Sequence, residues 1–197
     1  MIDLEQVLVR LAKALERASI PYMVIGGWAA ATWGEQRTTR DIDITIWVED
    51  EEIPYLLERL LRDFRPNVAN PLVFIDAYRV LPMLSAEGAP IDLIFGLLPY
   101  EKEAIDRAVL VKFKRKAIRL CTPEDVILHK IHSSRERDIA DVRAIVRCRF
   151  RELDLTYLEP RIEALAEGLT KPEILDLWRN MKRKTRRAGR RAKGNPS

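Results

Sequence analysis

Residues 41–48, Asp-Ile-Asp-Ile-Thr-Ile-Trp-Val, alternate polar and apolar side chains with a period of two. Only a β-strand sends successive side chains to opposite faces, so Ile42, Ile44, Ile46 and Val48 line one face and Asp41, Asp43, Thr45 and Trp47 the other. The β-branched face demands a hydrophobic core beneath it, and a one-residue slip would push both acids into that core. Just upstream, "PYMVIGG" reads as a short buried strand over 21–25 that runs into Gly26-Gly27, and the Ala-rich "WAAATWG" reads as a helix stopped at Gly34.

The remaining periodicities extend this pattern. Leu4, Val7, Leu8, Leu11 and Leu15 recur at helical steps, which predicts an amphipathic helix over 3–18 ahead of Pro21. Residues 51–64 read as a further helix. "PLVFIDAYRVL" and "PIDLIFG" read as strands separated by the loop "SAEGAP". A helix from Tyr100 to Ala108 and strands at 109–112 and 117–120 follow. Beyond residue 121 every segment is helical: 123–132, 137–148, 156–167 and 171–184. The expected class is α/β (α+β), a mixed β-sheet packed with helices over residues 1–120, then a small C-terminal helical lobe over 121–181.

A chain of 197 residues, 47% of them hydrophobic, is long enough for one sizeable core with a helical appendage. No apolar run approaches the roughly 20 residues that cross a bilayer, and the N-terminus lacks the layout of a signal peptide. We therefore expect a soluble cytoplasmic protein with no membrane partner. Cys121 and Cys148 show no C-x-x-C spacing and read as reduced fillers. Residues 182–197 hold eight Lys or Arg and no acid, which leaves the first 181 residues at −4 although the whole chain is at +4. Such a block is expected to be disordered. It is either a solubilising end or a contact for a polyanion such as RNA.

Asp41 and Asp43 leave one strand face about 7 Å apart and can converge on one cation. Their mutual repulsion is relieved by a divalent ion, and hard carboxylate oxygens suit magnesium. In a chain with 30 Asp and Glu such a pair is a weak signal alone. Context strengthens it. The Gly26-Gly27 turn leaves a strand and opens a helix, the arrangement that holds phosphates with backbone N–H groups. Asp92, in "PIDLIFG", opens another strand, and a neighbouring position would bring it beside the pair. Three carboxylates facing a phosphate cradle describe a two-metal phosphoryl-transfer site.

The stretch "VIGGWAAATWGEQRTTRDIDITI" resembles the Gly-Gly/Ser, spacer, Asp-x-Asp signature of the DNA polymerase beta-like nucleotidyltransferase superfamily. "TPEDVILHKIHSSRERDIADVRAIV" resembles the helical motif of its minimal members, the abortive-infection toxins of type IV toxin–antitoxin systems. The resemblance spans about residues 20–147. It implies a nucleotidyltransferase fold and NMP transfer from an NTP, ATP among them, to a hydroxyl. It implies two magnesium ions on Asp41, Asp43 and Asp92, with Asp92 also taking the acceptor's proton. Gly26 and Gly27 would contact the triphosphate and Lys130 a phosphate. Arg135, Asp138 and Asp141 would form the Arg-x-Lys/Arg-Asp-x-x-Asp element. RNA, such as a tRNA end, is the expected acceptor, and a protein antitoxin an expected partner. Protein side chains and small hydroxylated molecules stay open as acceptors. So does a catalytically inactive scaffold that binds nucleic acid or protein.

Two departures from the pattern are visible. Gly27 stands where the superfamily often has Ser, and no counterpart of the larger acceptor-binding domain of the longer toxins is expected within these 197 residues. The residues of the helical motif leave two arrangements open. One continuous helix would put Arg135 and Asp138 on its apolar stripe. Alternatively, Ser133-Ser134 break the helix, with Ser134 capping a second one near Arg135. Arg37 and Arg40 either neutralise the acids or, for Arg37, reach a phosphate oxygen. His129 and His132 have no third ligand nearby in sequence and read as surface or packing residues.

Overall fold

The computed structural model describes residues 2–113 and 116–193. The chain divides into two compact units, Met1–Ala29 with Arg37–Thr122, and Ala30–Gln36 with Pro123–Ser197. In the first, α1 (Leu4–Arg17) buries Val7, Leu8, Leu11, Ala12 and Leu15, and Asp3 caps it by accepting from the Gln6 N–H at 3.0 Å. The strands of this unit are β1 (Tyr22–Val24), β2 (Ile42–Ile46), β3 (Phe64–Pro66), β4 (Val80–Ser85), β5 (Pro90–Phe95), β6 (Val109–Phe113) and β7 (Lys116–Leu120). Helices α2 (Gly26–Trp33), α3 (Ile53–Leu60), α4 (Pro71–Tyr78) and α5 (Pro99–Arg107) connect them.

The seven strands form one mixed sheet in the order β3-β4-β5-β2-β1-β7-β6. Strand β2 lies antiparallel to β1 and parallel to β5, with Ile42 opposite Ile91, Asp43 opposite Asp92 and Ile44 opposite Leu93. Ile42, Ile44, Ile46 and Leu93 are fully buried, and Ile91 and Phe95 nearly so. These side chains form the core beneath β2 and β5. Asp43 and Asp92 are carried on the opposite face, as strand alternation requires.

Two expectations for this unit need correction. "PLVFIDAY" is helix α4, not a strand; Pro71 starts it and Arg79 ends it in the left-handed region at φ 53°. A short apolar run has no period that separates a strand from one buried helix turn, and here the flanking residues decide. The helix expected over 51–64 comprises a 3-10 turn at Asp50–Glu52 and α3, after which Phe64 opens β3 against β4.

The second unit is helical: α6 (Pro123–Lys130), α7 (Glu136–Arg149), α8 (Leu155–Gly168) and α9 (Glu173–Lys193). Val126, Ile127, Val142, Ile145, Leu158, Ile162, Trp178 and Met181 fill its core. Of the two arrangements open for residues 123–147, the structure adopts the broken one. Ser133 rather than Ser134 organises the turn, accepting from the Arg135 N–H at 3.1 Å. The basic stretch from residue 182, expected to be disordered, continues α9 as far as Lys193. Buried Ile174, Trp178 and Met181 anchor that helix, Lys182 pairs with Glu159, and Lys, Arg and Ala favour its propagation. Residues 194–197 lie outside the described residues. Among the described residues no helix is long and apolar enough to cross a membrane.

Because Ile44 is fully buried in a central strand, Ile44→Ala is expected to destabilise the chain by about 2–5 kcal/mol, measured by urea denaturation.

Candidate active site

The residues expected to carry chemistry fall in both units. In the first, the parallel register of β2 and β5 sets Asp43 directly beside Asp92. Neighbouring strands are about 4.8 Å apart, so these two side chains leave one sheet face as near neighbours. Asp41 precedes β2 by one residue and is exposed. The Asp92 carboxyl is pushed above its ordinary value, first by burial and second by the negative charge of Asp41. The third acid therefore lies within electrostatic reach of the pair, as the strand reading required.

The turn from β1 into α2 closes against the same acids. Gly26 has φ +61°, and a Cβ there would fall inside the Asp43 carboxylate. Only glycine accommodates both the backbone angle and the approach. The Ile25 N–H donates to the Asp43 carbonyl at 3.0 Å and ties this turn to β2. A Cβ on Gly27 would lie 2.5 Å from Thr39 Oγ1 and 3.4 Å from Arg37 Nη2. The space a serine side chain would need is thus filled by Thr39. Its hydroxyl donates to Asp41 Oδ1 at 3.1 Å, with the Asp41 carbonyl 3.2 Å away. The Trp28 indole N–H also donates to the Asp41 carbonyl, at 3.1 Å, and the ring stacks edge-on against Phe113. Thr39 and Trp28 were not foreseen as supports of Asp41, because Thr39 precedes the pair without any pattern and Trp28 reads as core.

The donor set suits a hard divalent cation: carboxylate oxygens only, with a like-charge repulsion at Asp92 that a cation would relieve. Among the described residues no three His, Cys, Asp or Glu side chains already stand as a ready-made metal cluster. Cys121 is buried and Cys148 is exposed, and among the described residues neither forms a disulfide. One ring nitrogen of His132 lies 3.3 Å from the Leu128 carbonyl.

In the second unit, Lys130, Arg135, Asp138 and Asp141 form a cluster of their own. The Lys130 ammonium pairs with Asp138 and, at 3.0 Å, with Asp141; all three side chains are about nine-tenths buried. Asp138 also accepts from Ser133 Oγ at 2.8 Å and from Arg135 Nε at 2.7 Å. Burial pushes the Asp138 carboxyl upward, but hydrogen bonds from Lys130 and Ser133 and the charges of Lys130 and Arg135 hold it below its ordinary value. Arg135 stays 80% exposed at its side chain. Nearby, Tyr157 donates to Asp125 at 2.8 Å and the Asp154 N–H donates to Glu124 at 2.8 Å, so each of these buried acids has a donor.

Residues 1–186 match the family described as "nucleotidyltransferase of unknown function (DUF6036)". The chain belongs to that family. Among solved structures, this nucleotidyltransferase-family chain is similar to an antigenic nucleotidyltransferase-like protein from Paracoccidioides brasiliensis, with TM-score 0.55, 17% identity and coverage of 89% of this chain and 91% of that one. It is also similar to ANT(2")-Ia in complex with adenylyl-2"-tobramycin, with TM-score 0.59, 15% identity and coverage of 85% and 99%. The lincosamide antibiotic adenylyltransferase LnuA, lincomycin-bound, aligns with TM-score 0.51, 17% identity and coverage of 74% and 96%. No curated protein matches the sequence significantly. The mixed sheet with its helices is therefore a nucleotidyltransferase-like fold.

Four stability effects follow for this member of the family. Gly26→Ala is expected to cost at least about 1–3 kcal/mol in chemical denaturation, from the positive φ alone. Lys130→Met removes the ammonium that the buried Asp138 and Asp141 carboxylates share and is expected to cost about 3 kcal/mol at neutral pH. The lowered Asp138 carboxyl contributes stability that is fully present above about pH 4 and is lost as pH falls through its folded value. Asp92 has the opposite sign: its raised value means that the charged form opposes folding at neutral pH. Asp92→Asn should therefore raise the thermal midpoint of the metal-free chain at pH 7, and a fall would contradict the assignment.

Proposed function

We propose that this chain is a magnesium-dependent nucleotidyltransferase that moves an NMP from an NTP to a hydroxyl acceptor, with Asp41, Asp43 and Asp92 as metal-holding and catalytic residues. The observation that carries the proposal is the register of Asp43 beside Asp92, with the Gly26 turn closed against Asp43. Family membership supports the reaction class, and the named neighbours include adenylyltransferases.

When bound on the three carboxylates, magnesium supplies positive charge that neutralises the triphosphate and lowers the pKa of the acceptor hydroxyl. The chain's own groups do the rest. Gly26 and Gly27, at the start of α2, present backbone to the triphosphate, and the Arg37 guanidinium beside Gly27 offers a fork for a phosphate oxygen. Asp92, set beside Asp43 by the strand register, receives the acceptor's proton in this reading. The acceptor oxygen forms the new bond to the α-phosphorus, the bond to the bridging oxygen breaks, and pyrophosphate leaves with that electron pair. Thr39 and Trp28 hold Asp41 in place through its side chain and carbonyl. Lys130 and the Arg135, Asp138 and Asp141 element belong to the nucleotide-binding set of this reading. The pairing of Lys130 with two carboxylates makes it a support, and leaves the exposed Arg135 to meet phosphate.

The acceptor we favour is RNA, such as a tRNA end, because α9 ends in a run of Lys and Arg. Cytoplasmic action as the toxin of a toxin–antitoxin pair follows from the resemblance of the helical motif. The neighbours that bind lincomycin or carry adenylyl-tobramycin support a rival acceptor, a small hydroxylated molecule.

The test is incubation with each labelled NTP, magnesium and either total RNA or hydroxylated small molecules. We expect label on RNA, its loss to background with Asp43→Asn, and a fall of about 100-fold or more with Asp92→Asn. Label on small molecules alone would sink the RNA acceptor. No transfer with any NTP, and an Asp41→Ala chain behaving like the parent, would leave only the inactive binding scaffold. Growth arrest on expression that persists in Asp43→Asn would contradict the toxin assignment.

A further inference from the structure

Helices α7 and α9 enclose a groove of about 580 Å³ within the second unit. Its rim carries Arg143 and Arg147 from α7 and Arg183 and Lys184 from α9, and among the described residues no acidic side chain lines it. Val146 and Met181, both nearly fully buried, form its apolar floor. Arg147 also pairs with Glu35, and Arg183 donates to the Asn180 side-chain oxygen at 2.8 Å. Among the described residues, Arg143, Arg183 and Lys184 have no carboxylate partner. Arg143 and Arg147 stand four residues apart on one helix, about 6 Å along its axis, and Arg183 and Lys184 oppose them across the cleft.

Like charges on both walls of a concave site repel one another unless an anion lies between them, and low-dielectric walls concentrate that field. The two α7 cations are spaced about one helical turn along the groove, which suits an extended polyanion better than a single phosphate. A membrane surface fits poorly. The apolar side of α9, with Ile174, Trp178 and Met181, is turned into the helical core and has nothing to insert into lipid. Two neutral polar side chains, Asn180 and Thr185, line the groove beside the cations. The Asn180 amide N–H groups donate and the Thr185 hydroxyl both donates and accepts, which matches the ribose 2′-hydroxyl that separates RNA from DNA.

We infer that the α7–α9 groove is the binding site for the phosphodiester backbone of single-stranded RNA, with Arg143, Arg183 and Lys184 on phosphates and Asn180 and Thr185 on ribose. This deepens the functional proposal by giving the RNA acceptor a surface, and it rests on that proposal only for the identity of the ligand. The groove is made by two packed helices and includes cations from α7 that the charge run at the C-terminus does not contain.

The experiment is equilibrium binding of a fluorescein-labelled single-stranded RNA to the full chain, without nucleotide, across a salt series. Arg143→Gln with Lys184→Gln should weaken binding at least tenfold near 100 mM salt. It should also flatten the slope of log K against log salt by about 1.4, that is about 0.7 per lost phosphate contact. Both residues are exposed, so the fold should persist, as circular dichroism would verify. Asp43→Asn should leave binding unchanged, which separates a failure of the groove from a failure of the transferase. Thr185→Val should reduce the preference for RNA over DNA of the same sequence. Unchanged affinity and slope in the double variant would overturn the site. Equal binding of the single-stranded DNA, or displacement by polyglutamate as effective as by unlabelled RNA, would overturn RNA as its ligand.

Discussion

The parallel pairing of β2 with β5 is the constraint on which the rest depends. Ile42, Ile44 and Ile46 on one strand and Ile91, Leu93 and Phe95 on the other occupy the same buried face. A slip of one residue would exchange that whole set for the acids, so hydrophobic burial fixes the register. The register in turn fixes Asp43 beside Asp92. The core thus holds together two carboxylates that electrostatics alone would separate. The Asp92 carboxyl is raised above its ordinary value, first by burial and second by the charge of Asp41.

Around that pair the backbone is fitted closely. Gly26 lets the start of α2 come against Asp43, and Thr39 takes the volume that a side chain at position 27 would need while holding Asp41. Glycine at 27 and threonine at 39 are therefore one packing solution, and the absence of serine at 27 has a local physical reason. The helical unit manages its charges differently. There Lys130 is enclosed by two aspartates, and the network of Ser133, Arg135 and Asp138 defines the bend between α6 and α7.

Legibility from the sequence followed the strength of periodicity. Alternation over 41–48 located β2, and the helical steps of Leu4 to Leu15 located α1, since each pattern repeats long enough to exclude the other period. "PLVFIDAY" repeats in neither sense, and Leu72, Val73 and Tyr78 prove to be solvent-exposed, so hydrophobicity there carried no information about burial. The shared face of Asp41 and Asp43 was legible from the strand period, whereas the place of Asp92 beside Asp43 rests on a strand order that no local pattern encodes. Thr39 and Trp28 were not, because their roles arise from a loop meeting a helix start, which no local pattern encodes. The basic run beyond residue 182 was read by charge alone. Its helical state comes from Met181 immediately before it and Trp178 one turn earlier, which anchor α9 to its neighbours.

The central claim is that Asp41, Asp43 and Asp92 share cations at one face of the sheet. Calorimetric titration of manganese, a magnesium surrogate, into the chain with a non-hydrolysable NTP tests it without reference to any acceptor. The account predicts two ions per chain, and at least one fewer in both Asp43→Asn and Asp92→Asn. Stoichiometry and affinity unchanged in both variants would contradict it.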